Sequence, residues 1–233
     1  MVFVPLSDEN PRLVVRYPYV AWTLIALNLG IYILFQSGLA FDANEAAIYG
    51  LGVIPAVITG SAQLPAELHL LPAGWTLLTS PFLHGDPLHL IGNMLFLFVF
   101  GDNIEDSMGH ARFALFYFLC GAAGAGAHIL VVPYSEAPLI GASGAIAGIV
   151  ASYLLLHPRV KMWILLFGRI PLKVTAFWII GAWAVVQIAS TVVGNDASVG
   201  WWAHIGGFVA GAALTALLKR PDVPWFGRPP KTL

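Results

Sequence analysis

The sequence predicts an all-α membrane protein, six transmembrane helices in a single domain covering residues 1–233, and three observations predict it. The chain is 58% hydrophobic and only 10% charged, with a mean hydropathy of +0.80. A soluble domain carries about 25% charged residues, and so few could not cover a water-facing surface. Six apolar stretches, at roughly 20–36, 87–101, 113–132, 143–157, 174–193 and 201–218, are separated by polar or Pro/Gly-rich breaks. The 11 Lys and Arg residues all fall before the first stretch, between the second and third, between the fourth and fifth, or after the sixth. Basic flanks mark the cytoplasmic side. The alternation therefore predicts both termini in the cytoplasm, with short tails at about 1–17 and 219–233.

The elements follow in order. The N-terminal MVFVPLSDENPRLVVRYP has no apolar core ending in a cleavage site, so no cleaved signal peptide is read and the first helix inserts the chain. The connection at 37–86 contains no Lys or Arg and forms a long outer loop between helices 1 and 2. It is apolar but too interrupted by Pro and Gly to cross, and is expected in the interface or packed on the bundle. Asp86-Pro87 reads as an N-cap followed by proline at the first helical position. His157-Pro158 closes the fourth stretch. The third, fifth and sixth stretches meet the roughly 20-residue requirement for a span. The second and fourth are short, and a short polar-punctuated span is tolerated where other helices shield it. Both are expected inside the bundle. The single cysteine, Cys120, excludes an internal disulfide framework, and a net charge of −1 offers nothing to nucleic acid.

Topology gives the polar residues a depth. Helices 2, 4 and 6 all run inward from the outer face, so residues near their starts share one level. His89 and Asn93 lie near the start of helix 2, Ser143 opens helix 4 within GASG, and His204 lies near the start of helix 6 within WWAHIGG. Each has a simple structural explanation alone. Serine in a membrane helix often bonds its own backbone, and histidine or asparagine can bridge helices. Structural roles do not explain why four such residues share a depth. Together they suit acyl transfer: a serine hydroxyl becomes nucleophilic when a nearby base takes its proton, and His204 can do so if helices 4 and 6 touch. Gly144, Gly148, Gly207 and Gly211 form small-residue faces that permit this. Asn93, His89 and the Ser143 N–H are candidate donors to a developing oxyanion, and Gly141 allows close approach beside the serine. Asp102 lies 13 residues beyond His89, about 20 Å deeper at 1.5 Å per residue, too far to orient His204. Asp196 precedes His204 by eight residues without fixed spacing. The residues favour a Ser–His dyad, with His204 held by packing or a weaker polar contact.

On these residues the chain resembles the rhomboid intramembrane proteases. It carries HxxxN at His89–Asn93, GxSG at Gly141–Gly144, and AHxGGxxxG at Ala203–Gly211, in order, with a similar first loop containing Trp75 and Phe82-Leu83-His84. The resemblance covers about residues 70–211 and implies a six-helix serine protease that cleaves transmembrane protein substrates near the outer membrane face. It implies Ser143 and His204 as the catalytic dyad, and His89, Asn93, Gly141 and the Ser143 backbone as the oxyanion and substrate-binding set. No cofactor or metal is implied. Two departures stand out: Thr76 follows Trp75 where the family often has arginine, and Ala147 stands where some bacterial members stack an aromatic on the catalytic imidazole. Phe208 is a candidate substitute. Family analogy suggests lateral access beside helix 5 and the loop at 194–200, with Phe177, Trp178 and Trp183 lining the way. His128 is read as a helix-packing residue, His84 as part of the loop–helix junction, and His69, His110 and His157 as without chemistry. A contact between Glu105 and Arg112 is expected at the inner face.

Two other readings compete. A catalytically silent rhomboid-like protein would bind membrane clients, but such members typically lack the serine or the histidine, and both are present here. A metal-dependent hydrolase would recruit His84, His89, His128 and His204, yet no HExxH occurs and no acid is buried at that depth. The short polar N-terminus suggests a prokaryotic plasma membrane. Substrate, cleavage preference and oligomeric state are not legible.

Overall fold

The computed structural model describes residues 3–41, 43–193 and 200–227. Each of the six apolar stretches is helical. α1 (Tyr19–Ile31) continues as a π-helical turn to Gln36. The connection that follows folds into α2 (Asn44–Leu51), α3 (Pro55–Ile58) and α4 (Thr76–Thr79), joined by short 3₁₀ turns. Then come α5 (Pro87–Met108), α6 (His110–Val131), α7 (Ser143–Leu156), α8 (Ala176–Val193) and α9 (Trp201–Leu218). Four of these segments, Tyr19–Gln36, α5, α6 and α9, are long and apolar enough to cross a membrane, and α7 and α8 contribute shorter apolar helices. Large apolar side chains such as Ile91, Phe98, Leu115 and Val209 face outward, as expected where lipid is the solvent.

α7 occupies the centre, buried without interruption from Gly144 to Tyr153. α5 is also largely enclosed, but it is not short. It runs 22 residues to Met108, because the polar residues that seemed to end it find partners. Asp106 accepts the N–H groups of Leu13, Val14 and Val15 at 3.0, 2.8 and 2.6 Å. Glu105 accepts those of Val20 and Ala21 at 3.0 and 2.8 Å, satisfying two of the orphan donors at the start of α1. Asp102 meets Arg12 at 3.1 Å. Glu105 also contacts His110, and the expected contact with Arg112, which is exposed, is not formed among the described residues.

The all-α expectation needs correction. Three strands, β1 (Phe3–Asp8), β2 (Lys161–Leu166) and β3 (Ile170–Thr175), form an antiparallel sheet in that order. The segment between α7 and α8 is a hairpin, with the left-handed pair Phe167 and Gly168 at its turn (φ 52° and 68°). Met162 and Ile164 point inward from β2 while Lys161 and Trp163 point out, the period-two pattern of a half-buried strand. The N-terminal segment is therefore no loose tail. It supplies the edge strand β1, and Asp8 accepts hydrogen bonds from Tyr153 of α7 and from Asn103 of α5, the latter at 3.0 Å. Burial pushes the Asp8 carboxyl up to about 7, Tyr153 opposes this, and the nearby Asp102 charge adds to it.

The α1–α5 connection packs onto the bundle. Val53, Ile54 and Leu83 are buried. Val53 bridges Leu139 ahead of α7, and the Thr79 hydroxyl donates to the Leu51 carbonyl at 2.6 Å.

Candidate active site

The starts of α5, α7 and α9 meet at the end of the bundle opposite the sheet. Asp86 caps α5, its carboxylate accepting from the Leu88 and His89 N–H groups at 2.8 and 2.9 Å. The chain enters α7 through Gly141, whose φ of 111° suits glycine alone and whose N–H donates to the Ser80 carbonyl at 2.9 Å. α9 begins after Gly200, whose carbonyl accepts from the His204 N–H at 3.2 Å.

Ser143 is the first residue of α7, and its Oγ lies 2.8 Å from His204 Nε2. Two short side chains on different helices can meet only if the helices nearly touch, and glycines make that possible. A Cβ on Gly207 would fall on the Gly144 carbonyl, and one on Gly211 on the Gly148 backbone. On its other side α9 meets α6, where a Cβ on Gly206 would strike Ala127.

His89 and Asn93 stand against the loop that leads into Ser143. A Cβ at Gly141 would sit 2.7 Å from the His89 ring and 3.5 Å from Asn93 Nδ2. The sequence-predicted residues thus form two joined groups: Ser143 with His204, and Gly141 with His89 and Asn93.

Two residues outside the expected dyad and oxyanion set complete the arrangement, one of them His84, expected only as part of the loop–helix junction. His84 is fully buried, its Nε2 2.9 Å from Asn93 Nδ2 and its ring edge-on to His89 at 5.0 Å. Burial, reinforced by His89, pushes His84 down to about 3, so it is neutral and can accept from the Asn93 amide. Its backbone is clamped by Gln36, which donates to the His84 carbonyl and accepts from its N–H, both at 3.0 Å. The second residue is Gln187 of α8, whose amide nitrogen lies 2.6 Å from His204 Nδ1. The only sequence signal for it was a buried-capable amide inside an apolar stretch, where polar side chains need a partner.

Other candidates lie elsewhere. The His204 ring is flanked by Trp201, edge-on at 5.9 Å, and Trp183, tilted at 6.5 Å. Phe208 packs on Trp183 instead. Trp183 is therefore a neighbour of the imidazole, while Phe177 and Trp178 are exposed on α8. His128 is buried in α6, and His157 Nε2 lies 3.2 Å from the Ser107 hydroxyl at the far end. Among the described residues no three His, Cys, Asp or Glu side chains converge as a metal site would require. Asp196 and most of the 194–200 loop lie outside the described residues.

Chemically, a hydroxyl beside an imidazole nitrogen can become an alkoxide nucleophile, and amide and ring N–H groups nearby can receive negative charge. The family model for the rhomboid domain matches residues 72–221. RHOMBOID-like protein 2 of Arabidopsis thaliana is 31% identical over 153 residues, covering 65% of this chain and 45% of its own length. Rhomboid protease GluP of Bacillus subtilis (strain 168) is 32% identical over 156 residues, 66% of this chain and 28% of that protein. Rhomboid-like protease 3 of Toxoplasma gondii is 25% identical over 211 residues, 89% of this chain and 73% of that one. The match spans less than half the length of the first two relatives.

Proposed function

The chain belongs to the rhomboid family, and from that premise we propose that it is an intramembrane serine endopeptidase hydrolysing transmembrane protein substrates through a Ser143–His204 dyad. The observation that carries the proposal is the 2.8 Å approach of His204 Nε2 to Ser143 Oγ. Six spans with both termini in the cytoplasm follow from the basic residues, which put Ser143 in the outer half of the bilayer. The substrate helix unwinds locally there.

In the first step Ser143 Oγ attacks the scissile carbonyl carbon while its proton passes to His204 Nε2. The carbonyl oxygen takes up negative charge and is held by the Ser143 N–H, the Asn93 amide and the His89 ring. His204 then gives the proton to the departing amine, leaving an acyl ester on Ser143. Water then adds to the ester carbonyl as His204 takes its proton, and His204 returns that proton to Ser143 Oγ as the ester bond breaks and the new carboxyl product leaves. Gly141 keeps the approach to the ester open, since any side chain there would strike His89.

Purified protein in detergent, given a generic single-span substrate, is expected to cleave it. Ser143→Ala and His204→Ala are expected to abolish cleavage while remaining folded. Cleavage that persists in Ser143→Ala would refute the serine mechanism. No cleavage by any form, together with no labelling of Ser143 by a fluorophosphonate, would favour a client-binding role.

A further inference from the structure

We propose that Gln187 is the positioning residue of the dyad, its side-chain amide selecting the tautomer in which His204 can act as a base. The inference rests on the protease reading above.

A Ser–His pair without a carboxylate has an unsolved requirement. For Nε2 to take the serine proton, the hydrogen of the neutral imidazole must sit on Nδ1, and Nδ1–H needs an acceptor. No described carboxylate reaches it. Asp102 is committed to Arg12 at the opposite end of α5, and Asp86 to the start of that helix. The group that does reach Nδ1 is the Gln187 amide, whose nitrogen, Nε2, lies 2.6 Å away, and a half-turn of that amide brings its oxygen to the same place.

That amide is well placed to hold a ring. Gln187 is only 7% exposed, and it is the one buried polar side chain among the described residues of α8. Trp183 lies one helical turn earlier on the same face and covers the same imidazole. One face of α8 thus grips His204 twice, by an indole and by an amide. Trp201 closes the ring edge-on from α9. Ala147 on α7 carries no ring to stack on the imidazole, and the support comes from α8 instead.

An amide has two ends of nearly equal shape and opposite polarity. With its N–H toward Nδ1, the imidazole proton is driven to Nε2, where it points at Ser143 and blocks proton transfer. With its carbonyl oxygen toward Nδ1, that nitrogen carries the hydrogen and Nε2 is free to accept. The structure shows the N–H-facing state, and a half-turn of the amide, whose two ends have nearly the same shape, exchanges it for the other. Catalysis uses the carbonyl-facing state.

The test compares Gln187→Leu, Gln187→Met and Gln187→Glu with wild type. Two readouts are used: the rate of fluorophosphonate labelling at Ser143, and kcat and KM for a single-span substrate. Thermal melting in detergent identifies folded variants. Leu and Met remove the acceptor but keep the bulk, so labelling and kcat are expected to fall about tenfold with KM little changed. Glu offers only acceptor oxygens and is expected to restore the labelling rate to wild-type level or above. If folded Leu and Met variants label at the wild-type rate, or if Glu is as slow as Leu, Gln187 is a packing residue and the inference is wrong. If wild type itself does not label while folded, the protease reading fails first and takes this inference with it. Should Leu not fold, the Met–Glu contrast alone decides.

Discussion

Gly207 of α9 lies directly on the carbonyl of Gly144 in α7, with no room for even a methyl group between the two backbones. The helix pair is set by this contact, and the Ser143–His204 distance depends on it. Gly207→Val must push α9 away from α7. The substitution is expected to destabilise the fold by at least about 2 kcal/mol and to abolish activity even in the fraction that folds. Thermal unfolding in detergent, paired with Ser143 labelling, measures both. A Val variant with wild-type melting and labelling would show that the helices approach differently.

Asn93 offers the Ser143 loop an amide that His84 holds from behind. Asn93→Ala is expected to lower kcat by roughly 10²–10³, the range for loss of one oxyanion donor. His84→Ala leaves Asn93 present but unoriented, so a smaller loss of about tenfold is expected. A cycle combining the two changes should give a double mutant no worse than Asn93→Ala alone. Additive losses would mean the two residues act separately.

Asp8 gives the fold a pH dependence. Its carboxyl rests near 7 in the folded protein against an ordinary value of 3.8, so the folded state binds a proton that the unfolded state has released. The stability this provides is present below about pH 4 and is lost as pH rises through about 7. Asp8→Asn removes the titration and keeps an acceptor for Tyr153. Relative to wild type, the variant is expected to melt higher at about pH 8 than at about pH 5. An equal difference at both pH values would count against a protonated Asp8.

Asp86 caps α5 at the end that carries His89 and Asn93. Asp86→Ala is expected to reduce stability by about 1 kcal/mol. Because the first turn of α5 then frays, activity should fall more than the melting temperature suggests. Activity measured well below the melting point separates the two effects.

What the sequence revealed and what it hid divide along a physical line. The proximity of Ser143 to His204, and of His89 and Asn93 to Gly141, was legible because all of them lie at or near the starts of apolar helices that run the same way. Gln187 was not, since nothing in its own helix says which face meets His204. His84 reaches Asn93 only through a turn whose path no periodicity describes. The sheet escaped for a related reason: β2 and β3 read as an apolar segment in a basic loop, and β1 pairs with β2 across most of the chain. The full length of α5 was hidden because Glu105 and Asp106 look like a helix terminus until their partners at residues 13–21 are known.

The cap that Glu105 places on α1 bears on how the protein is made. Pro18 gives α1 no side-chain cap of its own, and the carboxylate that serves instead lies 84 residues downstream of Ala21. At about 5–20 residues per second the ribosome needs several seconds to bridge that interval. During that time the first helix resides in the bilayer with its leading amides exposed to whatever water or headgroup is near. Its N-terminal end is completed only when α5 arrives beside it. A nascent chain halted before residue 105 therefore carries a first helix whose leading amides lack the carboxylate that serves them in the finished fold.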